Sequence, residues 1–111
     1  MDAKKKLEEV TRVMNAIGSD DSKVQSSFIG FMSYVMSPGS LDAKTKNLIA
    51  ISLSIAAKCD WCVSYHVNNA LKAGATKDEI MEAAYIAVLM FGSPAMMEIN
   101  RVLDTLEQLG K

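Results

Sequence analysis

The chain has 111 residues, half of them hydrophobic but only 6% aromatic, and a formal net charge of -1 from 12 Lys and Arg against 13 Asp and Glu. So balanced a charge gives no field to draw in nucleic acid or an anionic membrane, and no apolar run is long enough to cross a bilayer. What remains is one domain over residues 1–111, with an apolar content dominated by Ala, Ile, Leu, Val and Met that suits close-packed helices. A chain this small and this apolar is expected to bury part of its surface against copies of itself.

In chain order, Leu7, Val10, Met14 and Ile17 recur at helical spacing and predict a first helix from Asp2 to about Ile17, stopped by Gly18. The three lysines near the start are followed by no apolar stretch, so no secretory signal is expected. After the turn cluster at Ser19 to Ser22, the residues Val24, Phe28, Phe31, Met32 and Val35 predict a second helix over Lys23 to Met36. Ser37-Pro38-Gly39-Ser40 breaks the chain. Leu41 to about Lys58 reads as a third helix, almost without a polar side between Leu48 and Ala57, and therefore central and covered on most faces. A buried strand over Ile49 to Ile55 is the competing reading; length and the alanines favour helix.

A fourth helix begins near Cys59 or Asp60 and runs to Ala73, where Gly74 is a left-handed stop. Thr76 and Glu79 form a capping box that opens a fifth helix from Lys77 to about Phe91. Gly92-Ser93-Pro94 then starts a sixth, with Ser93 as its N-cap and Pro94 at the first helical position. The expected fold is all-α, a compact bundle of these helices with short connections. Met81, Met90, Met96 and Met97 are read as gap-fillers at a core or a subunit contact.

The chemistry gathers in Cys59-Asp-Trp-Cys62-Val-Ser-Tyr-His66, which holds both cysteines and the only histidine. At about 100° per residue, Cys62 falls at about 300° from Cys59 and His66 at about 340°, so all three share one helical face. Two cysteines three apart in the first turn of a helix can meet the Cα separation of a disulfide. A thiol reacts as its thiolate, which a helix beginning favours through its unpaired N–H groups and macrodipole. Lys58 and Asp60 flank Cys59 with opposite signs and are expected to offset each other. His66, one turn after Cys62, can take the thiol proton or stabilise the thiolate. Trp61 points about 200° from Cys59, away from the thiols, as an interface or core anchor, and Tyr65 lies about 240° from Cys59.

Other readings of these residues stay open. The cysteines can be small core residues, and His66 a histidine packed in an interhelical groove. A stabilising staple is disfavoured, because so short a loop removes little entropy from the unfolded chain. A zinc site would use Cys59, Cys62 and His66, with a carboxylate or a neighbouring subunit supplying the fourth ligand.

Cys59-x-x-Cys62-x-x-x-His66, followed by Ala70-Leu-Lys-Ala-Gly-Ala-Thr-Lys-Asp-Glu-Ile80 and Phe91-Gly-Ser-Pro-Ala95, resembles the carboxymuconolactone decarboxylase-like family, on its AhpD-like alkylhydroperoxidase side. The resemblance spans roughly Leu41 to Asn100. It implies an all-helical fold, assembly into trimers or hexamers, and reduction of peroxides or partner disulfides through the dithiol. By resemblance Cys62 is the attacking thiol and Cys59 the resolving one. In redox-active relatives a glutamate joins the histidine in a proton relay; this chain has Asn47 at that position, and an amide can orient a histidine but cannot exchange protons near neutral pH. The reading is thus a cytoplasmic thiol-dependent peroxidase or disulfide oxidoreductase. Its catalytic residues are Cys59, Cys62 and His66, it holds no organic cofactor or metal, and an external dithiol reduces it. A decarboxylase-like or lactone-processing lyase that uses His66 without thiol turnover is the alternative, and a non-catalytic oligomeric binding module a third.

Overall fold

The computed structural model describes residues 1–110, and these form six α-helices and no strand. The first, α1 (Ala3–Asp20), starts at Asp2, whose carboxylate accepts the Lys5 N–H at 3.0 Å. It does not end at Gly18 as the sequence predicts. An interior glycine costs a helix only about 1 kcal/mol, and here the missing side chain makes room: a Cβ on Gly18 would overlap the Gln25 amide, which donates to the Met14 carbonyl at 2.8 Å. The turn comes instead at Asp21, which ends α1 and caps α2 (Ser22–Met36) by accepting the N–H groups of Lys23 and Val24. No residue of α2 is buried, so its apolar residues, Phe28, Phe31 and Val35 among them, are only partly covered within the chain.

Lys46 closes the far end of α2 by donating to the carbonyls of Val35 and Ser37. The third helix, α3 (Ala43–Ala56), is capped by Asp42 and is shorter than the predicted Leu41 to Lys58. It is central on one side only. Ile51 and Ile55 are fully buried, whereas Ile49 and Leu53 are exposed, so the expectation of cover on most faces fails for the single chain. The Ser52 hydroxyl ties α3 to the Ala83 carbonyl of α5 (Lys77–Phe91).

The turns before and after α4 (Asp60–Lys72) are built on the same device, which closes α3 on one side and α4 on the other. At its far end Gly74, with φ 91°, lets Gly74 N–H reach the Leu71 carbonyl and Ala75 N–H the Ala70 carbonyl. At its near end the identical bonds run from Lys58 N–H to the Ile55 carbonyl at 3.1 Å and from Cys59 N–H to the Ser54 carbonyl at 3.2 Å. Lys58 therefore holds the left-handed position, φ 56°, that glycine normally takes. That turn fixes where Cys59 leaves α3.

The predicted capping box opens α5: Thr76 Oγ1 accepts Glu79 N–H at 3.1 Å and Glu79 Oε1 accepts Thr76 N–H at 2.9 Å. Glu79 also binds Lys44 of α3 at 2.9 Å. The last helix, α6 (Ser93–Leu109), departs from expectation at its start. Gly92, φ 76°, is the N-cap, Ser93 lies inside the first turn with Pro94 after it, and no side chain caps the end. Gly92 wins because the sharp change of direction between α5 and α6 needs positive φ, which serine disfavours. The core lies between α3, α4, α5 and α6, where Ile51, Ile55, Val63, Val67, Ile80 and Val102 meet alanines at 70, 84, 87 and 95. The small residues let the helices approach closely. In that core Ser64 and Thr105 satisfy each other at 3.1 Å.

Candidate active site

Cys59 and Cys62 are joined by a disulfide, with Cα atoms 5.2 Å apart. Cys59 sits just before the helix as N-cap of α4, and its sulfur accepts the Cys62 N–H at 3.1 Å. A negative charge on this sulfur would be met by that same N–H and by the positive end of the α4 dipole. Both cysteines are partly accessible, so the bond is not sealed in the core.

His66 follows Cys62 by one turn, and α3 supplies its partner. Asn47, only 7% exposed, donates Nδ2 to the Ala43 carbonyl at 2.9 Å and faces His66 Nδ1 with Oδ1 at 3.2 Å. The bond to Ala43 fixes the amide orientation, because a carbonyl can only accept. An amide oxygen aimed at Nδ1 in turn requires Nδ1 to carry the proton. In the neutral ring Nε2 then bears the lone pair. No buried side-chain nitrogen or oxygen among the described residues lacks a partner, so Nε2, which bonds to no protein group there, is open to solvent or a reactant. Burial holds the His66 pKa below its usual value, since no carboxylate offsets the loss of hydration. The imidazole is therefore neutral at pH 7, with a base at Nε2. The Tyr65 ring meets it edge-on with centroids 5.2 Å apart.

The residues between the cysteines are tied to distant helices. Arg101 Nε of α6 lies 3.0 Å from Asp60 Oδ1. The expected balance between Lys58 and Asp60 is thus replaced: Lys58 forms no ion pair among the described residues. Trp61, 45% exposed, donates Nε1 to Glu9 of α1 at 3.2 Å and carries Lys6 Nζ 4.1 Å from its ring centroid. It anchors α1 rather than entering the core. Arg101, Glu9 and Lys6 were beyond sequence reasoning because no local spacing links positions so far apart. Among the described residues no group of three or more His, Cys, Asp or Glu side chains is disposed to hold a metal ion, and no helix is long and apolar enough to cross a membrane.

The structure thus places the predicted Cys59 and Cys62 at the start of α4 and His66 one turn further along it, with Asn47 of α3 against the histidine. Known proteins share this fold. The crystal structure of a carboxymuconolactone decarboxylase family protein from Legionella pneumophila superposes with a TM-score of 0.93 at 28% identity, covering 98% of this chain and 97% of that one. A Thermotoga maritima protein of the same family, for which a part in an antioxidative response has been suggested, gives a TM-score of 0.83 at 35% identity over 94% of this chain and 89% of that one. An uncharacterised protein of Cupriavidus necator is 34% identical over 108 residues, 97% of this chain and 96% of its own length. The model of the carboxymuconolactone decarboxylase family matches residues 22–105, and with a CxxCxxxH motif consistent with the AhpD-like branch, the chain belongs to that family.

Proposed function

We propose that the chain is a thiol-dependent peroxidase or disulfide oxidoreductase that cycles the Cys59–Cys62 pair between dithiol and disulfide. The observation that carries the reading is the closed, partly accessible disulfide at the start of α4, one turn from a histidine whose Nε2 is unprotonated. In the reduced state His66 accepts the Cys62 proton. The thiolate attacks a hydroperoxide, an S–O bond forms as the O–O bond breaks, and the departing alkoxide takes a proton to leave as alcohol. The Cys59 thiol then attacks the sulfenic sulfur, closing the disulfide and releasing water. An external dithiol reopens it by two exchange steps and becomes a disulfide itself. With a partner disulfide as oxidant, Cys62 forms the mixed disulfide and Cys59 resolves it. Asn47 holds the histidine but passes no proton onward, so the proton leaves through solvent at Nε2.

The test is to mix reduced protein with an organic hydroperoxide, or with a small disulfide, and follow both thiols by mass spectrometry. Closure of the Cys59–Cys62 bond faster than free glutathione is oxidised supports the reading; two thiols left free with either oxidant refute it. A second reading, a lyase on a small organic acid or lactone, draws on the decarboxylase for which the matched family is named and on the amide at position 47. Full turnover by a Cys59→Ser, Cys62→Ser double variant would favour it.

A homo-oligomer, and a reducing compartment such as the cytoplasm, belong to the same proposal. Ile49, Leu53 and Ile86 line an open groove between α3 and α5, and Tyr34 (82%), Phe31 and Leu89 (81%) are largely exposed on single helices. So much apolar surface is more than a monomer of this size usually leaves uncovered. Light scattering that gives the mass of a single chain would refute self-association.

A further inference from the structure

The residues enclosed by the cysteines are held from two sides, Asp60 by Arg101 of α6 and Trp61 by Glu9 and Lys6 of α1. The two tethers differ in what they do electrically. Asp60 is the first residue of α4 and lies in the turn in which a thiolate has to form. A helix beginning favours negative charge, but two negative groups within one turn repel. The placement of Asp60 between the cysteines works against thiolate formation unless its charge is met.

Around that turn the charged and titratable groups are few. Lys58 stands on the connection from α3, Asp60 and His66 on α4, and Arg101 on α6; Asp2, Lys5, Lys6, Glu9 and the Met1 ammonium, itself paired with Asp104 of α6 at 3.1 Å, line a shared open cleft of about 440 Å³ from the side of α1. Lys6 and Glu9 are engaged with Trp61, His66 with Asn47, and the basic residues of α3, Lys44 and Lys46, stand in its first turn, at the far end from Cys59, engaged with Glu79 and the end of α2. Only Arg101 meets Asp60.

We propose that Arg101 is a positioning residue of the dithiol: by pairing with Asp60 across the α4–α6 contact, it turns the carboxylate's charge away from the sulfurs and permits thiolate formation at the start of α4. This inference rests on the dithiol reading above. Arg101 touches neither sulfur in the role assigned to it; it acts through Asp60. A partly exposed ion pair adds little to folding stability, so an effect on the thiols is separable from an effect on the fold.

The experiment compares four reduced proteins: the native chain, Arg101→Met, Asp60→Asn and the double variant. Thiolate ultraviolet absorbance is followed against pH, and the alkylation rate with iodoacetamide is measured at pH 7. Arg101→Met is expected to raise the lower thiol pKa by about half a unit to one unit, slowing alkylation about three- to tenfold. Asp60→Asn lowers the same pKa below that of the native chain. In the Asp60→Asn background the Arg101 replacement moves it by less than half as much. An unchanged pKa in Arg101→Met, or an equal shift with and without Asp60, overturns the proposal. Should Arg101→Met fail to fold, Asp60→Asn decides alone, because a carboxylate with no influence on the thiols leaves nothing for Arg101 to correct. Failure here is distinct from failure of the redox reading: a native chain that closes its disulfide with an oxidant, but whose thiols ignore both replacements, sinks only the role of Arg101.

Discussion

Exchanging Asn47 for glutamate gives the most informative single perturbation of the site, because the chain has one histidine and its titration can be followed without ambiguity. Burial now keeps the His66 pKa below 6.5, and the only group on Nδ1 is a neutral amide oxygen at 3.2 Å. A carboxylate about 4 Å from the ring interacts with its charged form by about 4 kcal/mol at an effective dielectric constant of about 20. At 1.36 kcal/mol per unit, this caps the shift near three units. Solvent reaches Nε2 and screens the pair, so Asn47→Glu is expected to raise the pKa by about one to two units above that of the native chain, and the ring takes up its proton at a higher pH. An imidazolium beside Cys62 would then stabilise its thiolate and quicken alkylation near pH 6. The extra methylene in a site this closed costs about 1–3 kcal/mol of stability, and Asn47→Gln, of equal length without charge, separates crowding from electrostatics. The assay is the ring-proton shift of His66 by NMR across pH. A folded Asn47→Glu chain whose histidine titrates no higher than that of the native chain, or one matched by Asn47→Gln, refutes the assignment of Asn47 as the group that sets the state of the ring.

The remaining expectations concern stability. Lys58→Gly relieves a left-handed non-glycine residue and should stabilise the oxidised chain by up to about 1 kcal/mol in urea; a loss of stability would mean that Lys58 is doing something other than turning the chain. The folded pKa of His66 is depressed, so its contribution is intact above pH 6.5 and lost as pH falls through the folded value. Urea midpoints should therefore drop in that window, and less so in His66→Gln. Opening the disulfide frees only a short loop, so a thiol reductant should cost about 2 kcal/mol or less and leave the helical circular dichroism unchanged. Collapse of the helices on reduction would make the bond a structural staple after all.

How much of this was legible in the sequence depends on the distance over which each feature is encoded. Local signals were read well: the Thr76 and Glu79 box, the stop at Gly74 and the start of α4 at the cysteines are set by neighbours within a turn or so. Gly18 misled because a glycine looks the same whether it ends a helix or admits a side chain from the next one, and only the approach of Gln25 tells which. Ser93 misled for a related reason. Serine is a good cap, but the direction in which α6 must leave α5 required the positive φ of Gly92. Of the site, the sulfurs and His66 lie on one short stretch and were visible as a pattern. The ring's tautomer was not, since it follows from an amide whose own orientation is fixed by the Ala43 carbonyl one turn earlier on α3.

The apolar helices carry the same lesson to the surface. In α2 the residues Phe28, Phe31 and Val35, and in α5 Ile86, Leu89 and Met90, are spaced like core residues, yet they lie exposed in the single chain. Hydrophobic period records that a face avoids water, and it is silent on whether the cover comes from the same chain or another. In α3 the two cases sit side by side: Ile51 and Ile55 are sealed by α4 and α5, while Ile49 and Leu53 open into the groove between α3 and α5. Asn47 stands on this same helix behind His66. A chain docking into that groove would therefore press on the helix that orients the histidine, which ties the proposed assembly to the proposed chemistry through α3.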